Sequence, residues 1–190
     1  MARCWWADSS DVYRRYHDLE WGRPVADDRR LFEKLSLEGF MSGLSWITIL
    51  NKRENFRAAF RDFDADAVAR FGTRDVSRLM ADAGIVRNRA KIEATINNAR
   101  RHADLVEEFG SFPAYVWRFE PENDSKKRPE GMLPEAVAMS KDLRKRGWAF
   151  VGPTTVLSFM QAMGLVNDHL EGCAAGAEVT RLRKEFVRPR

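Results

Sequence analysis

Along most of the chain apolar residues return every three or four positions, and no long stretch alternates one for one, so the pattern predicts helices and little else. Leu31, Phe32 and Leu35 mark one helix from Asp28, and Lys52 to Phe60 continues as helix after the Leu37 to Trp46 stretch. Phe63 to Phe71 forms a short helix capped by Asp64. Thr73 caps a further helix that turns Val76, Leu79 and Met80 inward. Ile92, Ile96, Ala99, Ala103 and Val106 then form an inward stripe that runs to Gly110, with His102 off the stripe and at the surface. Ser111 and Pro113 restart the chain through Trp117, and the polar, proline-bearing stretch 120–132 is a loop. Pro134 opens a helix that ends at Lys145-Arg146 with Gly147 as its stop signal. Trp148 to Val151 is short and apolar, and Gly152-Pro153-Thr154 leads into Thr155 to Met163, whose Val156, Phe159, Met160 and Met163 read as core. Asn167 or Asp168 caps a turn carrying His169 and Cys173, followed by a frayed basic tail. The fold class is all-α, with room for two helical lobes around a cleft.

One stretch departs from the pattern. Leu37 to Trp46, LEGFMSGLSW, sets a carboxylate, two glycines and an indole in an oily run. Gly39 and Gly43 weaken the helix that carries Glu38, which should end there, and Ser45 can cap a second helix from Trp46. Glu38 and Trp46 would then flank a bend and face one cavity. Residues 1–24 add Trp5, Trp6, Tyr13, Tyr16 and Trp21, interleaved with Asp8, Asp18 and Glu20. Singly, each aromatic reads as core; together they favour a lined cavity for a planar ligand.

Composition narrows the class. A chain of 190 residues can bury a core of its own, as one domain over 1–175 with a basic tail over 176–190. No apolar run reaches the ~18 residues of a membrane span, and no basic-then-apolar leader opens the sequence, so a cytoplasmic protein is expected. Thirty-two basic residues against 28 acidic leave a net charge of only +4, which bears on partners only where it is clustered. Such clustering occurs at Leu79 to Ile92, which reads helix, tight turn at Gly84, helix. A glycine there permits a positive φ and uncovers backbone N–H groups at the positive end of the next helix, with Arg87, Arg89 and Lys91 nearby. Such a hairpin can hold nucleic-acid phosphates without reading bases, and an ordinary helical hairpin with a solvated basic face fits the same residues.

The only cysteines are Cys4 and Cys173, near opposite ends. His169 lies four residues before Cys173, one helical turn, and His17 follows Cys4 closely. Two thiolates and two imidazoles would complete a tetrahedral zinc site with no position left for water. Spacing alone leaves this reading level with two free thiols and two unconnected imidazoles.

In order along the chain, Arg3-Cys4 with Trp6, Tyr16-His17-Asp18 with Glu20-Trp21-Gly22, Leu37-Glu38-Gly39, Gly43-Leu44-Ser45-Trp46-Ile47, Lys52-Arg53-Glu54, Asp82-Ala83-Gly84-Ile85, Lys145-Arg146-Gly147, Ser158-Phe159-Met160-Gln161 and Gly164 to His169 resemble the DNA-3-methyladenine glycosylase I family of the helix-hairpin-helix superfamily. The resemblance implies a monofunctional base-excision enzyme, without lyase activity, that flips 3-methyladenine out of alkylated double-stranded DNA. It implies a damaged base held by Glu38, Tyr16 and Trp46 in a pocket shaped by Trp6, Tyr13 and Trp21, with Glu38 first a recognition group and then an electrostatic catalyst. It also implies one structural zinc on Cys4, His17, His169 and Cys173, a DNA-binding hairpin at Gly84, Ile85, Val86 and Arg87, and a monomer without a protein partner. Two departures stand out: Phe40-Met41 where family members often carry glutamine, and Pro153 within a Gly-Thr-Thr segment.

Overall fold

The computed structural model describes residues 2–122 and 132–190, which contain helices and no β-strand. The loop expected at 120–132 therefore lies mostly outside the described residues. The elements are a 3-10 turn at Trp5–Ser9, then α1 (Asp11–Leu19), α2 (Asp28–Met41), α3 (Trp46–Asn51), α4 (Arg53–Ala59), a second 3-10 turn (Arg61–Phe63), α5 (Ala65–Ala69), α6 (Thr73–Ala81), α7 (Arg89–Phe109), α8 (Phe112–Trp117), α9 (Pro134–Lys145), α10 (Pro153–Ala162) and α11 (Ala174–Glu185).

Helix α2 is the axis of the fold. Asp27 caps it by accepting the Arg30 N–H at 2.8 Å. Every residue from Leu31 to Phe40 is buried, so over that span the helix has no solvent face and its apolar periodicity is blurred. Contrary to expectation it continues through Gly39, where the loop before α10 lies close: a Cβ there would stand 3.4 Å from both Phe150 Cβ and Phe150 O. The chain leaves the helix instead at Gly43, whose φ of +79° is the left-handed conformation glycine adopts without strain. Lys91 of α7, itself buried, donates to the carbonyls of Phe40 at 2.9 Å and Ser42 at 2.5 Å, satisfying acceptors that the end of α2 leaves open.

Around α2 pack α10, α8, α3 and α7. The core holds a stacked aromatic pair, Phe112 and Trp148, at 5.6 Å and 7°. Trp117 Nε1 donates to Val25 O at 2.8 Å and so ties α8 to the segment entering α2. Sequence signals mark several elements correctly: Asp64 accepts from Ala67 N at 2.9 Å, Ser111 from Ala114 N at 3.1 Å, and Pro134 is the first residue of α9.

Other expectations are corrected. The stretch from Lys52 to Phe60 is not the unbroken continuation expected, because α3 and α4 meet at Lys52, whose ammonium turns to Ala83 O at 3.0 Å and Gly84 O at 3.3 Å. Gly72, not Thr73, is the cap of α6, since the Asp75 carboxylate takes the Gly72 N–H at 3.1 Å. His102 is buried rather than superficial, and its Nε2 meets Asp28 Oδ1 at 2.7 Å; the inward stripe of α7 runs through His102 and Leu105, leaving Ala103 exposed. The C-terminal stretch is not frayed as far as Glu185: Val179 is buried, Arg183 donates to Leu165 O at 2.9 Å, and Phe186 rests on Trp117 at 4.4 Å. Its charge is largely matched, Arg181 pairing with Glu178 and Glu185, and Arg188 with Glu120.

Candidate functional site

The bend after α2 and the start of α3 do what the sequence suggested, and α1 and α10 complete the enclosure. Trp6, Tyr13, Tyr16, Trp21, Glu38 and Trp46 line one cavity of about 250 Å³, together with Met41, Ser158 and Gln161. Six aromatic-site and carboxylate residues predicted from sequence thus meet in one place, whereas Trp5 is 79% exposed and does not line it. Trp6 is the hub of the wall, with its ring edge-on to Trp21 at 5.0 Å and to Tyr13 at 5.6 Å. Tyr16 and Trp46 lie 5.5 Å apart at 45°, on the side that holds Glu38.

Glu38 is only 3% exposed. Its Oε1 receives Lys34 Nζ at 2.7 Å, one turn back along α2, and its Oε2 is buried with no hydrogen-bond partner among the described residues. A buried carboxylate oxygen without a donor costs about 1–3 kcal/mol, and a ligand N–H would remove that cost. The Trp46 indole N–H is likewise buried without an acceptor. An aromatic slot with one open acceptor and one open donor is suited to a flat heterocycle carrying its own N–H and ring-nitrogen groups.

Burial lifts the Tyr16 phenol far above its ordinary value of 10.0, and the Glu38 charge adds to this. Burial also raises Tyr13, and burial together with the Asp142 hydrogen bond raises Tyr115. These are all three tyrosines of the chain. A phenol whose folded pKa exceeds its unfolded value of about 10 contributes stability that is complete below that pH and is lost as pH rises beyond it. In an alkaline titration the ultraviolet phenolate band should therefore appear in one step that coincides with loss of helical circular dichroism. A half-developed phenolate band near pH ~10 with the helix signal intact would contradict this.

Behind this wall the two chain ends meet. One ligand atom each of Cys4, His17 and Cys173 lies within 4.8 Å of the others, all buried. His17 Nε2 is 3.5 Å from Cys173 Sγ, and its Nδ1 meets Asp18 Oδ1 at 2.8 Å, with Arg3 holding that carboxylate from the other side. His169 lies outside the mutually close three but against them, its ring 4.9 Å from that of His17. Its Nδ1 is 2.9 Å from Asn167 Oδ1, and its Nε2 is buried and unpartnered. Burial and the neighbouring His17 pull His169 down to about 4, so the ring is neutral, as a ligand imidazole must be. Burial pushes the Cys4 thiol up to about 11 in the absence of a cation. Cys4, His17 and Cys173 thus form a buried group that could hold a metal ion, with the His169 imidazole against it and a carboxylate or amide oxygen behind each ring. His169 and Cys173 reach it from a turn at 171–172 rather than from the single helical turn their spacing suggested, and Gly176 lets α11 approach, a Cβ there falling 2.6 Å from His169 Cβ.

The segment between α6 and α7 is a tight turn resting on α4, with Asn55 Nδ2 donating to Gly84 O at 3.3 Å. Gly84 is required by contact and not by a positive φ: a Cβ would meet Asp82 Oδ1 at 2.9 Å and Asn55 at 3.1 Å. Its N–H is not open either, being taken by Asp82 Oδ1 at 2.7 Å. Ile85 is buried, Arg87 exposed, Arg89 is paired with Glu93 at 3.3 Å, and Lys91 points inward to α2. Among the described residues, the cationic side chain that the hairpin leaves exposed and unpaired is Arg87.

Sequence reasoning missed three residues of the site. Ser158 and Gln161 are polar positions three apart in the otherwise apolar stretch from Val156 to Ala162 of α10, a signal that was available. Lys34 was missed because a lysine in a charged-looking helix ordinarily marks its wet face.

Comparison with known proteins adds to this geometry. The model of a family described as methyladenine glycosylase matches residues 6–176. The chain is 46% identical over 179 residues to DNA-3-methyladenine glycosylase 1 of Escherichia coli, covering 91% of this chain and 96% of that one. It is 41% identical over 178 residues to DNA-3-methyladenine glycosylase of Haemophilus influenzae, covering 90% and 96%. A solved structure describing 3-methyladenine recognition by 3-methyladenine DNA glycosylase I of Staphylococcus aureus superposes with a TM-score of 0.85 at 37% identity, over 92% of this chain and 96% of that chain. Among the described residues no helix is long and apolar enough to cross a membrane.

Proposed function

This chain belongs to the methyladenine glycosylase family, and from that premise we propose how its own residues carry out the reaction. It is a DNA base-excision glycosylase that hydrolyses the N-glycosyl bond of 3-methyladenine. The observation that carries the reading is the buried Glu38 with Oε2 unpartnered at the wall of an aromatic cavity.

The nucleotide has to leave the stack, at a cost of a few kcal/mol that damage lowers. The faces of Trp46, Tyr16 and Trp6 replace the lost stacking. While attached to its sugar, N3-methylated adenine is a cation, so electron-rich ring faces favour it over an undamaged purine. Glu38 Oε2 accepts the exocyclic N–H, and its charge lies where the positive base is held. The bond from the base nitrogen to the sugar C1′ then breaks with its electron pair going to the base, which becomes neutral. Water bonds to C1′ and releases a proton to solvent, leaving an abasic site and free 3-methyladenine. No amine attacks C1′ in this scheme, so no strand cleavage accompanies release.

Around that centre, residues 1–175 act as one domain, and α11 is its C-terminal brace. Cys4, His17, His169 and Cys173 hold one zinc, which supplies a structural cross-link between the chain ends and takes no part in the chemistry. The turn at Gly84, Ile85, Val86 and Arg87 meets the backbone of double-stranded DNA, by Arg87 and by the main-chain amides of Val86 and Arg87, and the protein works as a monomer in the cytoplasm. Incubation with methylated DNA followed by chromatography of the released bases tests the reading. Free 3-methyladenine is expected, from strands that break only on later alkali treatment. DNA bound without release of the base would overturn it.

A further inference from the structure

The three residues assigned to hold the base converge on one cation that does not itself line the base cavity. Lys34 is 6% exposed and faces a second, smaller cavity, on the other side of Tyr16 and Trp46. Its Nζ stands 2.7 Å from Glu38 Oε1, 2.8 Å from the Tyr16 hydroxyl oxygen and 3.2 Å from the centre of the Trp46 ring. An ammonium has three N–H donors, and here a carboxylate, a hydroxyl and an indole face account for all three. We propose that Lys34 is a positioning residue for base excision, keyed to Glu38, Tyr16 and Trp46 at once and holding the Glu38 carboxylate by Oε1 so that Oε2 stays its open acceptor.

The surrounding charges leave this task to Lys34. In the rear cavity Arg53 is matched by Glu20 at 2.5 and 3.0 Å, and Arg57 by Glu33 at 2.8 Å, so the nearest guanidinium groups already have carboxylates of their own. Arg30 also lines that cavity, and the phenols of Tyr13 and Tyr16 face the carboxylate from α1. Burial lowers the Lys34 pKa and the Glu38 charge opposes that, as befits a mutually dependent buried pair. The ammonium also takes one lone pair of Tyr16, which leaves the Tyr16 proton free to be donated. Because the cation covers one face of Trp46, a base has the other face to stack on. The slot therefore presents a negative Glu38 toward the base with a positive charge behind it.

The inference rests on Glu38 meeting the base, and the test separates the two claims. Release of 3-methyladenine is measured against pH for the native protein, Lys34→Met and Glu38→Gln. With Lys34→Met, Glu38 loses its counter-charge in a buried site, so the acidic limb of the profile should move upward by at least about one pH unit, about a tenfold loss of rate on that limb, with recovery on the alkaline side. An unmoved profile, or a uniform loss at every pH, overturns the role of Lys34. Full release by Glu38→Gln instead overturns the reading of Glu38, whatever Lys34→Met does. Should Lys34→Met fail to fold, the native protein answers by nitrogen-15 NMR. A slowly exchanging Lys34 ammonium signal that shifts when free 3-methyladenine is added supports the role, and a solvent-like, unresponsive one overturns it.

Discussion

Glu38→Gln is expected to lower kcat/KM for 3-methyladenine release by about 100-fold, a loss of ~2.7 kcal/mol of transition-state stabilisation. The amide keeps the shape of the side chain and an oxygen for Lys34, so the cavity remains, but the negative charge facing the cationic base is gone. The change also leaves the Lys34 ammonium buried without its counter-ion, and breaking such a pair typically costs about 3–5 kcal/mol of stability. Urea unfolding would register that cost separately from the rate. The double variant Lys34→Met with Glu38→Gln should regain most of the stability, because no lone charge is left inside, and none of the release. Wild-type release by Glu38→Gln would remove the carboxylate from the account.

The second large effect concerns the metal. Elemental analysis should give about one zinc per chain, by the four-ligand arithmetic of a closed site. Structural zinc contributes an apparent ~10–16 kcal/mol in small metal-stapled folds, against total domain stabilities of about 5–15 kcal/mol. This chain has a large apolar core besides, so removal should weaken it without unfolding it entirely. Stripping zinc with a strong chelator, or substituting Cys4→Ser, is expected to lower Tm by more than about 10 °C. The segment before α2 and helix α11 should lose amide protection first, since the site joins them. Because Trp6, Tyr13, Tyr16 and Trp21 all stand on that segment, base release should fall with them. A metal-free protein with unchanged Tm would end the staple proposal.

How much of this could be read from the residues varied with how local each cause was. Caps and turns were legible because their partners lie within three residues, as at Asp64, Ser111 and Gly43. The aromatic cavity was legible in outline because Glu38 and Trp46 flank one bend and five aromatics crowd the first 24 residues. What could not be read depended on distant contacts. His102 becomes buried through Asp28, 74 residues away, and Lys91 turns inward through carbonyls about 50 residues away. Gly84 was read for its backbone freedom, when the actual constraint is Asn55 from another helix. Lys34 escaped because nothing in its own helix shows that Tyr16 and Trp46 enclose it. Met41 does line the cavity, beside Ser158 and Gln161, so the departure from the family pattern falls where bases would be distinguished.

The inward turn of Lys91 has a mechanical consequence. The same cation that stands in the first turn of the helix after Gly84 is anchored in the carbonyls at the end of the helix that carries Glu38. On the proposed roles, one end of this strut meets the sugar-phosphate rail and the other receives the base. The protein then behaves as a caliper with its jaws set at a fixed opening, and it is the duplex that has to give way to fit.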